Sequence, residues 1–181
     1  MKTTRLRSQI LSRRMSRATL FLMVLVAILL AAVGLAAIIA PGEIGKIMAE
    51  RFGGRVIETG RTASVLIALV TAIQGALFLW ALDKLRRAFA SFSGEAVLNS
   101  RSAVLLSHAG LLFAANAVAM IIAQPLLSAI YSAGAPAGQG FITIRIGTGE
   151  LLSLLLSGIL FVTGHLMALA AEVDGEMRQI V

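Results

Sequence analysis

Residues 18–40 read ATLFLMVLVAILLAAVGLAAIIA. Twenty-three residues pass without a charged side chain. A helix rising 1.5 Å per residue needs roughly 20 to cross about 30 Å of hydrocarbon. The run stops at Pro41-Gly42, a pair that does not readily continue a helix. Three further runs follow at 62–82, 102–131 and 151–171, and none contains Asp, Glu, Lys or Arg. Each backbone can therefore close its own hydrogen bonds in lipid without burying an ion. In the third run Pro125 stands six residues before the end and predicts a kink or a fray. The fold expected is all-α: an antiparallel four-helix transmembrane bundle, one membrane domain over residues 1–181.

Composition agrees. The 181 residues are 58% hydrophobic and 14% charged, against roughly 45–50% and about 25% in soluble domains. There is no cysteine, which excludes disulfides, thiolate ligands and thiol nucleophiles. A net charge of +7 would suit nucleic acid in a soluble domain, but here the cations flank apolar runs and report topology. Six Lys and Arg precede the first run, four lie between the second and third, and Arg178 follows the fourth, eleven on one side. The other side holds Lys46, Arg51, Arg55, Arg61 and Arg145. The positive-inside rule places both termini in the cytoplasm. A cleaved leader fits less well. The first run exceeds the usual 7–15 residue core of a signal peptide, about half its length, and Ile38 occupies a position where cleavage wants a small residue.

Lipid gives apolar helices no hydrophobic reason to associate, so small residues must let them approach. Ala32, Gly34 and Ala36, then Ala72, Gly75 and Ala76, then Gly110 and Ala114, then Gly164 and Ala168 supply such faces. Gln74, Asn116 and Gln124 are carboxamides within the runs and read as interhelical hydrogen-bonding groups.

The loop between the second and third runs carries the clearest surface feature. Leu82, Leu85, Phe89 and Phe92 recur at helical spacing, while Lys84, Arg86 and Arg87 take other faces of the same turns. The second helix is expected to continue into the cytosol as a basic amphipathic segment for anionic lipid or a protein partner. The tail carries Glu172, Asp174 and Glu176, and a contact between this acidic set and the basic cluster is the simplest alternative. Asn99 or Ser100 is placed to cap the third helix. On the opposite side, Arg55–Thr59 and Phe141–Ile146 are rich in β-branched residues and predict a small extracytoplasmic two-stranded β cap.

The loop Phe89-Ala-Ser-Phe-Ser-Gly-Glu-Ala96, the last-run triplet Ser157-Gly158-Ile159 and the ending Ala170-Ala-Glu-Val-Asp-Gly-Glu-Met-Arg-Gln-Ile-Val181 support a resemblance from the second run onward. The chain resembles the bacterial four-span membrane family numbered 2975 among the domains of unknown function. Val97 and Leu98 stand where members often have Phe. The family carries no established activity. Its members are often encoded beside a small helix-turn-helix regulator, so the resemblance implies membrane-linked regulation in a bacterial cytoplasmic membrane.

Enzyme chemistry finds no support: there is no phosphate loop, no paired intramembrane carboxylate, no metal-binding cluster and no activated nucleophile. The sharpest alternative uses His108 and His165, each about six residues inside the cytoplasmic end of its run and able at matched depth to ligate one haem iron. The expectation is a non-enzymatic, cofactor-free interaction protein whose contacts are Leu85, Arg86, Arg87, Phe89, Phe92, Glu172, Asp174 and Glu176. Its expected partners are the bilayer and a cytoplasmic protein, with a homo-oligomer open and no direct binding of nucleic acid.

Overall fold

The first apolar run lies within a longer helix, α1 (Lys2–Ile39), which also takes in the basic flank before it. The computed structural model describes residues 2–54, 56–91, 100–136 and 138–180, and the side chains of 14–54, 56–91, 102–136 and 138–173. Pro41-Gly42 ends one helix and opens another, α2 (Pro41–Arg51). Its signals are local. Proline at the first helical position has its φ preset and lacks only an N–H that would be unpaired there. Glu43 in the first turn and Arg51 in the last suit the helix dipole. Ile44 and Met48, four apart, are buried. On the exposed face Lys46 Nζ donates to Glu43 at 2.7 Å, and this carboxylate raises the Lys46 pKa above its usual value.

The remaining helices are α3 (Arg61–Ser91), α4 (Ser100–Ser132) and α5 (Thr148–Ile180). Four helical stretches, Arg14–Ile39, Arg61–Ser91, Ser102–Ser132 and Thr148–Val173, are long and apolar enough to cross a membrane. They coincide with the four runs and fit a multi-pass membrane protein. Helix α4 passes through Pro125 to Ser132 without a break in assignment. Pro125 has no N–H for the preceding turn, while its own carbonyl accepts from the Ser128 hydroxyl at 2.9 Å.

The expected β cap does not form: the described residues contain no strand. Arg55 lies outside them, and residues 56–60 and 141–147 belong to no regular element. Side chains of α4 take the backbone groups that a ladder would have used. Ile57 N–H donates to the Tyr131 hydroxyl at 3.1 Å, and Thr143 N–H donates to Ser128 Oγ at 2.9 Å. Ser132 Oγ donates to the Phe141 carbonyl at 2.9 Å. A two-stranded ribbon is marginal on its own, and each segment is instead fastened separately to a helix.

Packing divides the chain into two compact units. One comprises Met1–Leu25, Phe78–Ala115 and Leu152–Val181. Its buried residues include Ala81, Leu82, Ala88, Ala103, Leu106 and Ala109, and Phe78 meets Phe113 edge-on at 5.8 Å. Here α4 and α5 touch backbone to backbone. A Cβ added at Gly110 would lie 2.6 Å from Phe161 N and 2.8 Å from Ser157 O, and one at Gly164 would lie 2.5 Å from Ser107 N.

The other unit comprises Val26–Leu77 and Asn116–Leu151. Its core joins Ala37 of α1, Ile44, Met48 and Ala49 of α2, Ile67 and Ala68 of α3, and Leu127 and Tyr131 of α4. Phe52 and Phe141 pack on the Tyr131 ring at centroid distances of 6.2 and 6.5 Å. Ser64, fully buried, donates its hydroxyl to Pro41 O at 3.3 Å and ties α3 to the start of α2. Of the small face expected of α1, Ala36 packs against this core, whereas Ala32 is exposed and nothing lies within 4 Å of a Cβ at Gly34. Of the carboxamides, Gln74 donates from Nε2 to Ala119 O across α3 and α4 at 3.4 Å. Asn116 is buried with its Oδ1 unpartnered, and Gln124 is buried too.

Candidate functional site at the end of α3

Helix α3 continues nine residues beyond Leu82, from Asp83 to Ser91, so the loop's basic and apolar residues stand on helical turns as their spacing predicts. Leu82 is 4% exposed and Ala88 fully buried, while Leu85 and Phe89 are half-buried. Phe92 lies outside the described residues.

The cations are organised by Asp83. Arg87 Nε donates to Asp83 Oδ2 at 2.7 Å, and Arg86 Nη2 donates to Oδ1 at 3.1 Å. One carboxylate thus holds two guanidinium groups, leaving a cluster with one net positive charge before Lys84 is counted. The partner's signal was available, since Asp83 stands three and four residues before the arginines, the spacing at which helical side chains meet. Arg87 remains mostly exposed and Arg86 less so, with side chains 59% and 34% accessible. The buried Arg86 Nε has no acceptor. Where surface pairs contribute at most about 1 kcal/mol, this clip orients the arginines more than it stabilises the fold.

One turn further on, the Ser91 hydroxyl donates to Ala88 O at 2.7 Å and lies 2.7 Å from Ser102 Oγ. With its single hydrogen used on Ala88, Ser91 accepts from Ser102, which is fully buried in the first turn of α4. The two serines fasten the ends of the α3–α4 connection together. Neither was singled out from the sequence, because a lone serine at a helix end carries no distinguishing pattern.

The acidic tail belongs to α5, which runs unbroken to Ile180. Glu172 is exposed, and the side chains of Asp174 and Glu176 lie outside the described ones. Among the described residues, the arginines' ion-pair acceptor is Asp83 and not the tail.

His108 and His165 are both exposed. His108 follows Val104 and precedes Leu111, Val118 and Ile122 on the exposed stripe of α4. The α5-facing stripe is a different one, Ala103, Ser107 and Gly110. The His165 ring lies parallel to that of Phe161 one turn away, at 6.5 Å and 3°. Two imidazoles clasping a haem must face one another across a slot, and His108 is turned from the seam on which α5 sits. No group of three or more His, Asp or Glu suited to a metal occurs among the described residues.

No protein-family model, curated protein or solved structure matches the chain.

Proposed function

We propose that the chain is a multi-pass protein of a bacterial cytoplasmic membrane, with both termini inside. On this reading it acts without chemistry of its own, as an interaction or regulatory protein working through the α3–α4 connection and the α5 tail. One observation carries the reading: α3 and α5 each remain helical for nine residues past their apolar runs, Asp83–Ser91 and Glu172–Ile180. These extensions reach roughly 13 Å beyond the runs at helical rise. They present ordered charge, with Arg87 exposed on one and Glu172 on the other. The bias of Lys and Arg toward the N-terminus and the α3–α4 connection supports the orientation. The family resemblance supplies the class of partner, a small helix-turn-helix regulator, with lipid headgroups as the second contact.

The test is recovery of the tagged protein with its partners from its own membranes, comparing wild type with Arg87→Glu, Glu172→Lys and the exposed control Lys46→Glu. A cytoplasmic protein is expected whose recovery falls about tenfold in the first two, equivalent to about 1.4 kcal/mol, and is unchanged in the control. Equal recovery in all four, with insertion intact, overturns the reading.

A further inference from the structure

The stretch Phe141–Ile146 offers a surface different in kind from the helices around it. Phe141 O and Thr143 N–H are held by Ser132 and Ser128, four residues apart on α4. The bonded groups pass from Ser132 to Ser128 as the chain goes from Phe141 to Thr143, so this leg starts antiparallel to the end of α4. Phe141 turns into the aromatic cluster with Phe52 and Tyr131. The alternate residues point away: Ile142 is 69% exposed and Ile144 75%, followed by Ile146 at 57%. Arg145 between the last two is exposed as well. At its far end the leg is stopped by Glu150, which accepts from Gly147 N–H at 2.9 Å.

Two requirements fix what covers this leg. Its isoleucine side chains shed water, but no described residue bonds the N–H or C=O of Ile142 or Ile144, and in hydrocarbon each unpaired group costs several kcal/mol. The boundary between acyl chains and headgroups meets both demands, hydrating the backbone and accepting the side chains. Depth agrees, because Ser128 stands three residues inside the end of the 102–131 run, about 4.5 Å. So does charge, since the Arg145 guanidinium suits a lipid phosphate.

We propose that Phe141–Ile146 is a lipid-binding leg seated in the extracytoplasmic headgroup–acyl boundary, with Ile142 and Ile144 in the acyl chains and Arg145 on a phosphate. It rests on the membrane reading above. The absence of cysteine makes single spin labels unambiguous. Nitroxides at Ile142→Cys and Ile144→Cys, both exposed and so harmless to the fold, are placed in bilayers of phosphatidylglycerol and phosphatidylethanolamine. Leu126→Cys and Lys46→Cys serve as lipid and water references. The labels at 142 and 144 are expected to collide with oxygen several-fold more, relative to a water-soluble nickel complex, than the label at 46, with that at 142 shallower than that at 126. A water-like ratio at 142 and 144 with a lipid-like one at 126 overturns the leg alone. Shielding of 142 and 144 from both reagents also overturns it and assigns the leg to a protein partner or a second copy. A water-like ratio at 126 overturns the membrane reading first.

Discussion

Gly164 and Gly158, six residues apart on α5, predict opposite outcomes for the same added methyl. At Gly164 a Cβ would press on the backbone of α4, 2.5 Å from Ser107 N and 2.9 Å from Ala103 O, whereas at Gly158 nothing lies within 4 Å. Gly164→Ala is expected to cost about 1–3 kcal/mol, since backbone cannot yield as a side chain can. Gly158→Ala should be neutral or gain up to about 1 kcal/mol from helix propensity. Thermal unfolding of both variants in one mild detergent measures the difference, and equal midpoints would contradict the packed seam. At this scale the sequence was half legible. Glycines at helical spacing announce small faces but do not say which is used, and Gly34 reads as well as Gly164 although no neighbour meets it. Asp83 was legible from its spacing to Arg86 and Arg87, whereas the Ser91–Ser102 contact joins residues whose meeting depends on how the chain turns between them.

Among elements, the four long helices were readable because each apolar run outlasts any soluble alternative and charges mark its ends. Helix α2 was hidden by Pro41, which reads as a terminator when the preceding helix is in view and as an initiator from the following one. The β cap was the reverse case. Val56, Ile57, Ile142 and Ile144 favour extended backbone, yet propensity does not name the partner. The partners are hydroxyls of α4, Ser128, Tyr131 and Ser132. Loss of each such bond costs about 1 kcal/mol, so Ser128→Ala with Ser132→Ala should speed amide exchange in 141–147 and leave 56–60 unchanged. Tyr131→Phe should do the converse. Hydrogen exchange read segment by segment distinguishes this from a paired ribbon, in which either change would loosen both stretches together.

For the whole molecule, charge placement predicts a topology that single cysteines can test directly. Lys46→Cys and Gln139→Cys, both at exposed sites, are expected to react with a membrane-impermeant maleimide in intact cells. Arg87→Cys and Glu172→Cys should react only after permeabilisation, and the opposite pattern would invert the protein. The division into two packing units was not legible, because each apolar run is uniform along its length and burial differs only where another helix happens to touch it. Helix α5 has 33 residues without interruption, roughly 50 Å of rod at helical rise, and a coil of the same composition would have slack that a rod lacks. A tilt of about 10° at its first turn would therefore sweep its last turn through about 9 Å, so a small angular change at one end of the rod is a wide displacement at the other.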